Sequence, residues 1–94
     1  MTGYYAGVYN TTGSLNTLLG AEAGYSNTTG DGNLFAGMAS GVYNTTGSYN
    51  SFAGYFSGAN NTTGGLNTML GMEAGYSNTT GSGNLLFVLI VESP

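Results

Sequence analysis

The sequence contains no cysteine, histidine, lysine, arginine or tryptophan, and a single proline. Each absence removes a class of chemistry. Without cysteine there is no disulfide framework, no thiolate nucleophile and no thiolate-bound metal. Without histidine there is no imidazole base and no common transition-metal ligand. Without lysine or arginine nothing neutralises phosphate, which excludes nucleic-acid binding through backbone charge. Charged residues make up 4 % of the chain, against about 25 % in an ordinary domain. The acids are Glu22, Asp31, Glu73 and Glu92, for a net charge of −4. They are too sparse for an acidic tail or for long-range steering. Serine and threonine are plentiful, but no base is present to activate them. The expectation is a protein that is not an enzyme and has no cofactor or metal.

No basic segment precedes an apolar run at Met1-Thr2-Gly3, so no signal peptide is visible. The longest apolar run, Leu85 to Val91, is seven residues, against the roughly 20 of a membrane-spanning helix. No membrane span is therefore expected.

What is present is repetition. The chain has 94 residues, room for one small domain. Gly (18), Thr (13), Asn (11) and Ser (9) supply more than half of them, and twelve aromatics, eight of them Tyr, argue for packed structure. Asn-Thr-Thr-Gly starts at Asn10, Asn27, Asn44, Asn61 and Asn78, always 17 residues apart. Such a period has to be settled before any other reading. A second Asn recurs at Asn16, Asn33, Asn50, Asn67 and Asn84, and two further glycine columns begin at Gly3 and Gly7. The units are 10–26, 27–43, 44–60, 61–77 and 78–84, preceded by a partial unit, 1–9. The units from Asn10 and Asn61 agree at 14 of 17 positions, as a duplicated 51-residue block would. After Asn84 the pattern changes to an apolar segment, 85–94.

Three glycines at fixed offsets argue against a helix, since each costs about 1 kcal/mol relative to Ala. The period predicts an all-β chain, a parallel β-solenoid (β-roll or β-helix) of 17-residue coils, each with two short strands and two turns. Asn at the first and Gly at the fourth position of the tetrapeptide suit a type I turn. Two adjacent apolar columns, Met1/Leu18/Phe35/Phe52/Met69/Leu86 and Thr2/Leu19/Ala36/Ala53/Leu70/Phe87, face opposite sides of a strand. The pattern leaves open which one points inward. Stacked Asn side chains can hydrogen-bond along the axis without any ligand.

Asn16-Thr17-Leu18-Leu19-Gly20 and Asn67-Thr68-Met69-Leu70-Gly71, each followed by a Glu-Ala-Gly-Tyr-Ser segment, resemble the head repeats of trimeric autotransporter adhesins. The longer Asn-Thr-Thr-Gly form, from Met1 to about Asn84, resembles repeats of phage and giant-virus tail-fibre-like proteins. The resemblance implies a parallel β-roll, a homotrimer, and use as a fibre or adhesive head at a cell or virion surface.

Several candidate sites follow from the columns. Asn10, Asn27, Asn44, Asn61 and Asn78 each begin Asn-x-Thr, the form of an N-glycan acceptor. The competing reading is turn chemistry alone. Leu85, Leu86, Phe87, Val88, Leu89, Ile90 and Val91 are the candidate segment that caps the stack or docks onto a neighbour. The paired threonines suggest an ice-binding array, although adjacent strand residues face opposite ways. The tyrosines suggest stacking or a carbohydrate-binding face. Asp31 between Gly30 and Gly32 lacks a second acid for calcium and reads as solvated surface.

The functional expectation is a self-assembling structural protein of an extracellular or virion-surface fibre, adhesive or glycan-coated. Its partners would be copies of itself, as a homotrimer or end-to-end filament, and a cell-surface or carbohydrate receptor. The alternatives are an ice-binding or carbohydrate-binding module, or a functional amyloid.

Overall fold

A computed structural model describes residues 1–87. Each coil contributes one three-residue strand: β1 (Thr17–Leu19), β2 (Leu34–Ala36), β3 (Ser51–Ala53), β4 (Thr68–Leu70) and β5 (Leu85–Phe87). They form a single parallel sheet in chain order, β1-β2-β3-β4-β5, and no helix is present among the described residues. Every pairing is offset by one unit, as in Leu18↔Phe35, Phe35↔Phe52, Phe52↔Met69 and Met69↔Leu86. A bridge from Thr2 to Leu19 adds the partial unit to the same ladder. The chain is a parallel β-solenoid. Successive rungs come from one chain, so the architecture is not one in which units pair only between chains.

The column Leu18, Phe35, Phe52, Met69 points inward and is fully buried, with Phe35 and Phe52 stacked at 5.0 Å between centroids. Facing it are Ala23, Ser40, Ser57 and Ala74, all buried. The two serines are admissible there because each hydroxyl donates to a strand carbonyl of the next coil, Ser40 to Phe52 O at 3.2 Å and Ser57 to Met69 O at 3.1 Å. Gly41 lies against the ring of Phe35, where an added Cβ would come within 2.7 Å of Cδ2. One large column therefore fills a core whose opposite wall must be small.

The side opposite the sheet differs from the expected second strand. It is a succession of tight turns, seen in Ala23 N–H to Gly20 O, Tyr25 N–H to Glu22 O and Asn27 N–H to Gly24 O, at 3.0–3.1 Å. The reason is backbone sign: Glu22 (φ 61°) and Gly24 (φ 60°) are both left-handed, so the segment cannot extend. Coil-to-coil bonds such as Gly24 N–H to Ser40 O still tie these turns into a stack.

The Asn-Thr-Thr-Gly corner is not closed by a backbone bond from Gly13 N–H to Asn10 O. The backbone N–H groups of Thr11, Thr12 and Gly13 all donate to Thr28 O of the next coil. The corner is closed instead by a side chain, Asn10 Nδ2 donating to Gly13 O at 2.9 Å.

Candidate functional site

The first-column asparagines form a continuous interior ladder. Asn27 Nδ2 donates to Asn10 Oδ1, Asn44 to Asn27, Asn61 to Asn44 and Asn78 to Asn61, at 2.8–3.0 Å. The second hydrogen of each of these Nδ2 groups goes to a glycine carbonyl three residues on, as in Asn44 to Gly47 O at 3.0 Å. The second Asn column is laddered differently. Its Oδ1 atoms accept backbone N–H groups, as in Asn50 N–H to Asn33 Oδ1 at 2.9 Å, and its Nδ2 atoms donate to the glycine carbonyl one coil on. Among the described residues no buried side-chain nitrogen or oxygen lacks a partner. The fourth-position glycine has a spatial cause: a Cβ at Gly13 would lie 2.5 Å from both Asn10 Oδ1 and Gly30 O.

This geometry corrects the glycan reading at the centre of the stack. Asn27, Asn44 and Asn61 are fully buried with both amide hydrogens engaged, so a sugar on Nδ2 would break two bonds and has no room. Asn78 is half-buried with the same two bonds, and Asn10 is half-buried with a bond to Gly13 O. The signal available in the sequence was the pairing of each acceptor Asn with a glycine three residues on, which marks a closed corner as much as a sequon.

The candidate cap is partly described. Leu85, Leu86 and Phe87 are β5, a regular rung in register with β4, so the sheet runs past the unit boundary placed after Asn84. All three are exposed at this end of the sheet. Val88, Leu89, Ile90 and Val91 lie outside the described residues.

The paired threonines do separate. Thr28 Oγ1 donates to Thr45 O and Thr45 Oγ1 to Thr62 O, at 3.2 and 3.3 Å, whereas Thr29, Thr46 and Thr63 are exposed. Asp31 is partly exposed, and its Oδ1 accepts from Ser14 N–H at 2.8 Å and from Ser14 Oγ at 3.3 Å.

Two surface features were not legible as such. The outer side of the sheet, with the corner leading into it, exposes Leu15, Tyr49 and Leu66, then Leu34 and Leu85, then Leu19, Leu70 and Phe87. Leu15, Tyr49 and Leu66 hold φ of 58–60°. The turn side carries two adjoining grooves. One, about 570 Å³ and open, is lined by Tyr43 with Ser26, Thr45, Asn60, Thr62 and Ser77. The other, about 370 Å³, is lined by aromatic rings and Glu22. On the turn side the aromatic contacts run between columns rather than along one: Tyr9–Tyr25 at 5.1 Å, Tyr55–Phe56 at 4.4 Å, Phe56–Tyr76 at 6.2 Å. A hydrogen bond with Tyr9, some burial and the nearby charge of Glu22 raise the Tyr25 hydroxyl pKa; Tyr5, burial and Glu22 do the same to Tyr4.

Among the described residues no three acids converge as a metal site would require, and no helix is long and apolar enough to cross a membrane. No family model, curated protein or solved structure matches the chain.

Proposed function

We propose that the chain is a structural repeat module of an extracellular or virion-surface fibre, and that copies associate through the outer face of the β1–β5 sheet. The single observation that carries this is the apolar character of that face. In a strand that is buried on one side only, outward positions are ordinarily polar. Here the outward positions include Leu19, Leu34, Leu70, Leu85 and Phe87, flanked by Leu15 at 86 % and Leu66 at 67 % exposure. The register repeats every 17 residues, so Leu19, Ala36, Ala53, Leu70 and Phe87 form one row that is apolar at every rung, whereas Leu34 and Leu85 share theirs with Thr17, Ser51 and Thr68. A contiguous apolar surface of this kind is a protein-contact signature. The absence of lysine and arginine leaves the edges without the charges that usually block pairing. The resemblance to adhesin heads and tail-fibre repeats supports the surface location and a threefold assembly.

Sedimentation of the full chain across a hundredfold concentration range tests this. The expected result is a trimer or larger species that Leu19→Ser with Leu70→Ser dissociates, with the far-ultraviolet circular dichroism unchanged. A wild-type chain that stays monomeric at high concentration overturns the proposal.

A carbohydrate-binding role is the second reading. It is favoured by the open groove in which the Tyr43 ring adjoins the Asn60 amide and several hydroxyls. A glycan array, with Tyr43→Ala as control, tests it; no glycan lost on that substitution would remove the reading.

A further inference from the structure

The smaller groove is created by a size change along two columns. The first runs Glu22, Ala39, Phe56, and the second runs Tyr25, Val42, Ala59, Tyr76. Ala39, Val42 and Ala59 are buried and form an apolar floor. Tyr25 stands at one end, Phe56 and Tyr76 at the other, with Tyr43 at the side and the Glu22 carboxylate at the rim.

The walls are held in place before any ligand arrives. Tyr25 is braced edge-on by Tyr9 at 5.1 Å and Tyr5 at 6.1 Å, and Phe56 by Tyr55 at 4.4 Å and Tyr76 at 6.2 Å. Braced walls reduce the ordering cost of binding. Glu22 and Phe56 are two rungs apart, about 10 Å at the usual strand spacing. A cation seated over the intervening Ala39 position would lie one rung, about 5 Å along the stack, from each of these two positions, comparable with the roughly 6 Å reach of a cation–π contact.

Charge decides which ligand suits this shape. The chain contains no lysine, arginine or histidine, so no side chain can neutralise Glu22 from within. Aromatic faces carry negative quadrupole potential, which adds to the carboxylate in favouring a cation. An apolar floor disfavours a small, strongly hydrated cation and favours one wrapped in methyl groups. We infer that the groove floored by Ala39, Val42 and Ala59 and walled by Tyr25, Phe56 and Tyr76 binds an alkylammonium group, with Glu22 as its counter-ion. This site is independent of the sheet-face association proposed above and lies on the other side of the coil.

The test uses the full chain and two probes of one shape. Choline carries a trimethylammonium group; 3,3-dimethylbutan-1-ol replaces it with an uncharged tert-butyl group. Tyrosine ring resonances are followed by NMR during titration. Saturable shifts at Tyr25, Tyr43 and Tyr76 are expected with choline, at an affinity at least about tenfold above that of the alcohol. Glu22→Gln should reduce choline affinity about fivefold or more and leave the alcohol unchanged, because it removes charge and keeps shape. Ala59→Leu, which fills the floor, should abolish both sets of shifts while the circular dichroism stays that of the wild type. The inference is overturned if the alcohol binds as tightly as choline, if Glu22→Gln leaves choline affinity unaltered, or if no saturable shift appears by about 50 mM choline, a concentration well above ordinary weak binding.

Discussion

The interior of the solenoid has two corners that solve the same stacking problem differently. In the apolar corner the inward position is Leu18, then Phe35, Phe52 and Met69, three residue types in four successive rungs. In the polar corner every rung repeats Asn, Gly and Asn at the same three positions. The contrast has a physical origin. Dispersion and apolar burial ask only for volume, so side chains of similar size substitute for one another. A hydrogen-bonded ladder asks for a donor and an acceptor at fixed positions and leaves no substitute for the amide. The apolar corner supplies burial; the polar corner supplies register, because a coil displaced by one residue would break the Asn44–Asn27 and Asn61–Asn44 bonds together.

Substitutions can break that contrast, and the largest expected effect lies in the apolar corner. Phe52→Ala removes a ring stacked on Phe35 and leaves a cavity between two rungs. It should lower unfolding stability by about 3–5 kcal/mol in denaturant titration. Asn44→Leu keeps the approximate volume but orphans Asn27 Oδ1 and one hydrogen of Asn61 Nδ2. Two orphaned buried polar groups cost about 1–3 kcal/mol each, offset in part by the apolar burial of the new Leu, for an expected net of about 2–4 kcal/mol. Phe52→Met, which copies the next rung's Met69, sharpens the comparison: it should cost less than about 1.5 kcal/mol. If Asn44→Leu proved as mild as Phe52→Met, the division of labour between the corners would be wrong. The smallest effect is a gain. Leu66 sits at φ 58° and is largely exposed, whereas Gly32 and Gly83 occupy the same column. Leu66→Gly should relieve left-handed strain and stabilise the monomer by about 0.5–1 kcal/mol, measured by thermal unfolding.

That last position shows how unevenly the fold was legible. Gly32 and Gly83 signalled a left-handed corner in a column otherwise filled by Leu15, Tyr49 and Leu66. On the turn side the left-handed column Tyr5, Glu22, Ala39, Phe56 and Glu73 contains no glycine and gave no such signal. Without it the turn side read as a strand. Burial of Asn27, Asn44 and Asn61 was equally hidden, because Asn-Thr-Thr-Gly is good turn chemistry, a glycan acceptor and a ladder corner in the same four letters. The grooves were hidden for a different reason. Glu22, Val42 and Phe56 are distant in sequence and meet only because the rungs bring their columns side by side.

The 17-residue spacing alone determined that like residues would lie over like, since only a coil of constant length repeats its neighbours at constant register. It also determined, through its missing lysine, arginine and histidine, that no cationic side chain of the chain can pair with Glu22. Only the tertiary structure decided which alternate residues face inward. The phase of a strand depends on what its two sides meet, and that is a property of the closed coil and not of any one segment.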